Sequence, residues 1–154
     1  MKRYVLWLLL VMMLPCSALA ENSSAVVKIT DPDMAHELFA KALKEKNLEQ
    51  LCSMYADDAV MVLKDGSLTV EGKYSIKRVF SWMLDAVEEL DIETLYKVEA
   101  NDTVLFRSKY HSVFVTPSGE RTDMVSSGIV VLKKQADGSW LFVIDHQNGG
   151  TNVL

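Results

Sequence analysis

The sequence predicts an α+β fold in which three N-terminal helices pack on a curved, mainly antiparallel sheet. Three observations predict it. Apolar side chains recur at helical spacing through residues 32–55 and again through 74–87, the pattern of amphipathic helices. Residues 104–116 alternate instead with a period of two, as a strand with one dry face does. Helices segregated from a run of strands then indicate α+β with the helices on one side of the sheet.

The first helix starts at Asp31-Pro32, where Asp31 can accept from first-turn amides and Pro32 suits the first helical position. Ala35, Leu38, Phe39, Ala42 and Leu43 share its apolar face, leaving His36, Glu37, Lys41, Lys44 and Glu45 to water. Asn47 ends it and caps a second helix, with Gln50 spaced to complete a capping box. Leu48, Leu51, Cys52 and Tyr55 form the apolar side of that helix, and Asp57-Asp58 stops it. A short hairpin follows, from a strand over 59–63 through Asp65-Gly66 to a strand over 68–71. After Gly72, a third helix carries Tyr74, Ile76, Val79, Phe80, Met83, Leu84 and Val87 as its stripe.

Four strands complete the chain, over 92–100, 104–116, 124–133 and 140–147. Asn101-Asp102, Pro117-Ser118-Gly119-Glu120 and Ala136-Asp137-Gly138-Ser139 supply the turns between them. In the second of these strands Val104, Phe106, Ser108, Tyr110, Ser112 and Phe114 share one face, and Arg107, Lys109 and His111 the other. The last ends on Asp145-His146. Neighbouring strand residues face opposite ways, so only one of this pair enters the interior. Trp140, Phe142 and Ile144 share the parity of His146, while Leu141, Val143 and Gln147 share that of Asp145; both sets are apolar enough to be buried.

The first twenty residues read as a secretory signal peptide: Lys2 and Arg3, an apolar run over 4–14, and Ala18-Leu19-Ala20 before a cleavage point near Ala20. Export to a periplasmic or extracellular compartment follows, with no membrane association once the segment is removed. The remaining organisation is a flexible leader over 21–30, a domain over 31–148 and a tail over 149–154. Cys52 is then the only cysteine, which rules out an internal disulfide and suits a small buried hydrophobe. Loss of Lys2 and Arg3 leaves 14 basic against 21 acidic residues, moving the net charge from −5 to −7. Such a chain repels polyanions, which argues against nucleic-acid binding. No ligand-type spacing of His and Cys predicts a metal, no phosphate-cradling loop is present, and no cofactor is expected.

The order of elements resembles the nuclear transport factor 2-like superfamily, which includes ketosteroid isomerases, SnoaL-like polyketide cyclases and kinase association domains. Three local passages carry the likeness. Leu51-Cys52-Ser53-Met54-Tyr55-Ala56-Asp57-Asp58-Ala59-Val60 is similar to that family's helix-to-strand passage. Glu71-Gly72-Lys73-Tyr74-Ser75-Ile76 is similar to its entry into the third helix, and 137–146 to its closing strand. The resemblance implies a cone-shaped fold with a pocket between helices and concave sheet. It implies no single function, because the superfamily uses that pocket for isomerisation, cyclisation, hydrolysis, binding or assembly. Where ketosteroid isomerases hold their base, this chain has Val62-Leu63-Lys64, so that base is absent.

Asp145 and His146 are the candidate catalytic pair, a carboxylate beside an imidazole suited to proton abstraction next to a carbonyl. Tyr55, Trp82, Ser108 and Tyr110 are the candidate pocket residues, aromatic bodies and hydroxyls that can face a ligand. The expected ligand is an apolar or carbonyl-bearing small molecule. The expected protein is an exported small-molecule-binding domain with isomerase- or cyclase-type acid–base chemistry. The alternative is a non-catalytic homodimeric association module, in which Leu105, Val113 and Val115 among Arg107, Lys109 and His111 make a mixed outer face for a partner sheet.

Overall fold

The computed structural model describes residues 25–63 and 66–150. The segment of 1–20 expected to be a signal peptide, the start of the leader and the end of the tail lie outside the described residues. A single 3-10 turn, Pro32–Met34, is capped by Asp31, whose carboxylate accepts from the Asp33 amide. It leads into α1 (Ala35–Lys44) and α2 (Leu48–Ser53). β1 (Tyr55–Leu63) and β2 (Leu68–Glu71) form the short hairpin, and α3 (Lys73–Ala86) follows. β3 (Val87–Ala100), β4 (Thr103–Val115), β5 (Arg121–Lys134) and β6 (Trp140–His146) complete the chain.

The strands form one six-stranded sheet in the order β2-β1-β6-β5-β4-β3. The predicted α+β class holds, and the sheet is mixed: β1 runs parallel to β6, and the other pairings are antiparallel. The parallel pair exists because the helices and the β3–β5 meander intervene between β1 and β6, giving the chain room to cross over. α1 lies against β3, and α3 against β1. Between them, Tyr55, Phe80, Phe142, Leu51, Met61 and Ile76 are fully buried. Tyr55 stacks on Phe142 with centroids 5.1 Å apart and meets the edge of Phe80 at 5.2 Å; Phe39 closes the cluster from α1. Each such pair adds about 1 kcal/mol beyond the area it buries.

The structure corrects several expectations. Tyr55 does not end a helix: α2 stops at Ser53 and Tyr55 opens β1 beside Phe142. Its helical parity with Leu51 and Cys52 hides the switch. Val87 belongs to β3, which begins five residues earlier than predicted, because Val87, Glu89 and Leu90 find partners in Phe114, Val113 and Ser112. Tyr74 leaves the α3 stripe and is 79% exposed, while Ile76, Phe80 and Leu84 carry that face inward. Lys64 and Asp65 lie outside the described residues.

Gln50 departs from the capping box. Asn47 Oδ1 accepts from the Gln50 amide at 2.9 Å as expected, but the Gln50 side chain turns outward from the cap. Its Oε1 accepts from Val27 N at 2.7 Å, and its Nε2 donates to Val27 O at 2.8 Å. With Ile29 bridged to Trp140 and buried, the leader is pinned from Val27 onward rather than frayed. Replacing Gln50 by Leu keeps the volume but removes both hydrogen bonds to the partly exposed Val27 backbone, each worth about 0.5–1.5 kcal/mol. Gln50→Leu should therefore lower the urea midpoint by an amount equivalent to about 1–2 kcal/mol; an unchanged midpoint refutes the clamp.

Candidate functional site

A cavity of ≈ 90 Å³ lies between α1, α3 and the inner face of β3–β6. Its wall is mostly apolar, with Phe39, Leu43, Met83, Leu90, Val130 and Phe142 prominent. Phe39 and Leu43 come from the predicted face of α1, and Met83 from that of α3. The polar atoms entering it are few, which is the usual make-up of a small-molecule site.

Asp145 reaches the cavity through a bulge in β6. Val131 pairs with Ile144, yet the adjoining Leu132 pairs with Phe142, leaving Val143 as an extra residue. The inserted residue reverses the parity of everything after it. Phe142 and Asp145 thus face inward together, whereas Ile144 is 43% exposed and His146 lies on the other side of the strand. A hydrogen on the Gly149 α-carbon is all that fits beside the His146 ring, since a Cβ there would lie 1.9 Å from Nδ1. Of the candidate pair, the carboxylate enters and the imidazole does not.

Tyr55 Oη donates to Asp145 Oδ2 at 2.5 Å, with both side chains buried. Burial raises the Asp145 carboxyl to about 6; the Tyr55 hydrogen bond and the His146 charge pull it part of the way back. Burial, then the Asp145 charge and hydrogen bond, hold Tyr55 well above its ordinary value, so its hydroxyl stays a donor. The result is a carboxyl that is half-ionised near pH 6 and mostly ionised at neutral pH, the condition a general base needs.

Ser108 and Ser112 are buried on the same inner column of β4, with half-buried Tyr110 between them. Tyr110 Oη donates to Asn148 Oδ1 at 2.9 Å, and Ser126 Oγ donates to the same oxygen at 2.7 Å. Gly150 continues this strap over β5 and β4: its amide donates to Ser127 O at 2.8 Å, and its carbonyl accepts from Arg107 Nη2 at 2.7 Å. Trp82 does not join the site. It is 64% exposed on the outer side of α3, two residues past the buried Phe80.

Three further residues belong to the site. His36, placed by pattern on a solvated face, lines the cavity half-buried, 5.2 Å from the Phe106 ring, with Nδ1 2.7 Å from Thr94 Oγ1. Burial lowers its imidazole to about 4, so it is neutral at physiological pH. No local signal marks it, because the surface covering it is β3, distant in sequence. Gln147 lines the cavity one inward step beyond Asp145, and among the described residues its Nε2 meets the sulfurs of Met61 and Met83, both at 3.9 Å. Asn148 was legible only as part of a chain end. Among the described residues, no group of three or more His, Cys, Asp and Glu converges to hold a metal ion, and no helix is long and apolar enough to cross a membrane.

The family model of the SnoaL-like domain matches residues 35–143. No curated protein matches the chain significantly. Among solved structures, a ketosteroid isomerase-like protein from Erwinia carotovora atroseptica is similar at a TM-score of 0.66 and 20% identity, over 74% of this chain and 89% of that one. A candidate dehydratase of the nuclear transport factor 2-like family from Streptomyces avermitilis gives 0.61 and 15%, over 74% and 90%. A candidate SnoaL-like polyketide cyclase from Shewanella denitrificans gives 0.58 and 19%, over 74% and 86%. At these identities the likeness is one of fold.

Asp145 and His36 bias stability in opposite directions over one pH window. A carboxyl raised to about 6 in the folded state contributes stability that is full below pH 4 and lost as pH rises through about 6, worth about 3 kcal/mol at most. An imidazole lowered to about 4 contributes stability that is present above about pH 6.5 and lost as pH falls. Between pH 4.5 and 6.5, Asp145→Asn should make the melting temperature climb with pH relative to the wild type. His36→Gln should make it fall. Parallel profiles for all three proteins refute these shifts.

Proposed function

This chain belongs to the SnoaL-like domain family, and from that premise we propose that its cavity binds a small apolar molecule bearing a carbonyl and that Asp145 moves a proton at the carbon beside it. The observation that carries the reading is a carboxyl buried in an apolar cavity, held at one oxygen by Tyr55 and raised to about 6. Asp145 accepts the proton while Tyr55 fixes the orientation of its carboxylate. The charge that develops on the substrate oxygen needs a donor, and Gln147 Nε2, whose contacts are two thioether sulfurs, is the donor nearest in the strand. Return of the proton to a different carbon is isomerisation; attack of the enolate carbon on a second carbonyl is cyclisation. Both are consistent with the varied chemistry of the structural neighbours. The basic, apolar and small-residue succession of 2–20 supports export of this domain.

A second reading concerns association. On the outer face, Val98, Leu105, Val131, Ile144 and Val60 stand in one row across β3, β4, β5, β6 and β1. Val98 is 56% and Ile144 43% exposed. A continuous apolar row on an open sheet supports a homodimer through this face, and it is compatible with a working pocket on the other.

Two measurements test these readings. With β-tetralone in heavy water, wild-type protein should speed α-deuteration, with a rate that rises as pH passes upward through about 6. Asp145→Asn should reduce that rate roughly 100-fold or more, and Gln147→Leu should lower it with little change in ketone affinity. Absence of exchange above buffer in the wild type, with binding retained, leaves a binder and removes the base. In sedimentation, the wild type should run as a dimer and a Val98→Lys, Ile144→Lys double variant as a monomer; identical behaviour removes the association reading.

A further inference from the structure

Ser112 presents a problem the proposed chemistry at Asp145 does not use. Its side chain is 2% exposed, it lies on the cavity wall, and its Oγ has no hydrogen-bond partner among the described residues. Its neighbours across the sheet are Leu90 on β3 and Met124 on β5, neither of which has a polar side-chain partner to offer. Phe114 and Val87 flank it on the cavity wall. A buried hydroxyl left unpaired costs about 1–3 kcal/mol, and nothing in the packing requires one: Ala or Val would fill a β-strand position between Leu and Met. The other hydroxyls of this wall show the contrast, since Tyr110 and Ser126 both donate to Asn148.

The position of Ser112 along the sheet sets its distance from Asp145. Asp145 pairs with Val130, and Val130 with Phe106, which is six residues from Ser112 on β4. At about 3.3 Å per residue the two backbone positions lie roughly 20 Å apart along an uncurved strand and less along a concave one. Between them on the same column lie Ser108 and Tyr110, with Tyr110 beside apolar Ile92 of β3 and its hydroxyl already donated to Asn148. Asp145 and Ser112 thus stand apart along the wall, and of the wall's hydroxyls that of Ser112 is the one buried without a hydrogen-bond partner among the described residues.

We propose that Ser112 is the far anchor of the site and that the ligand is an elongated apolar molecule with polar groups at both ends. An acidic C–H beside a carbonyl lies at Asp145, and a second oxygen, ketone or ether, accepts from Ser112 Oγ. The Asp145 end of this statement rests on the function proposed above; the Ser112 end stands on the orphaned hydroxyl. A hydrogen bond made only to a correctly long ligand gives length selectivity, because a shorter one leaves the hydroxyl unpaired and an apolar end buries it further.

The test uses a homologous series of benzyl ketones, which exchange slowly on their own, whose alkyl chains end either in a second ketone or in a plain methyl group. Affinity is read by calorimetry and proton exchange by loss of the α-proton signal in heavy water. At one chain length the ketone-ended member should bind wild-type protein about 3- to 10-fold more tightly than its methyl-ended partner. Ser112→Ala should abolish that preference and leave the methyl-ended affinity unchanged or improved. Without ligand, Ser112→Ala should melt at the same or a higher temperature; a clear drop means the hydroxyl is already satisfied and overturns the inference. Binding and exchange with no ketone preference at any length also overturn it, and leave the Asp145 chemistry standing. A Ser112-dependent preference with no exchange keeps the anchor and removes the base. If no member binds, both readings fall.

Discussion

The β6 bulge at Val143 is the constraint on which the site depends. β6 lies between two partners of opposite sense, parallel β1 and antiparallel β5. Without the extra residue, Phe142 and Asp145 would face opposite ways, and the strand would have to choose between an aromatic core and a carboxylate in the cavity. With it, Phe142 stacks on Tyr55 while Asp145 receives the hydroxyl of that same tyrosine. One ring thus anchors the core and orients the acid. β1 is irregular at the matching place, between Tyr55 and Val60, so the two strands deform together and keep Tyr55 opposite its partner.

The electrostatics follow from that geometry. A carboxyl turned into an apolar space must either find a strong partner or hold its proton more tightly. Asp145 has one neutral donor, which is too little to offset its burial, and its carboxyl is raised to about 6. His36 on the opposite wall is driven the other way by the same loss of water. The cavity thus holds a carboxyl that ionises late and an imidazole that protonates late, with no net charge required of it near pH 5. That neutrality makes an apolar ligand compatible with polar chemistry.

The strap after β6 connects the cavity wall to the outer face. Asn148 gathers the hydroxyls of Tyr110 and Ser126, and Gly149 and Gly150 occupy positions where a Cβ would strike His146 or Arg107. Two glycines in a trailing segment read as punctuation in sequence; in three dimensions each is a close approach of backbone to a side chain. The same strap carries Gln147, and its amide hydrogen bond to Val62 fixes that residue beside Asp145.

Local physics made much of the fold legible. Alternation placed Phe106, Ser108, Tyr110, Ser112 and Phe114 on one face of β4, because strand period and turn chemistry act over neighbouring residues. Helical spacing likewise found Ile76, Phe80 and Leu84 and the inward face of α1. The inward turn of Asp145 was beyond reach, since a bulge is a property of pairing with β5 and leaves no mark in the residues themselves. The same holds for Tyr55, claimed from its helix by Phe142, 87 residues further along the chain, and for His36, whose burial is made by β3. Trp82 fell outside because helix phase, not aromatic character, decides which side of α3 meets the sheet. Sequence alone determined the class, the order of elements and the hydroxyl column, all consequences of short-range periodicity. Tertiary structure alone decided which end of the acid–imidazole pair points inward, because only the register between distant strands can reverse a side chain's face.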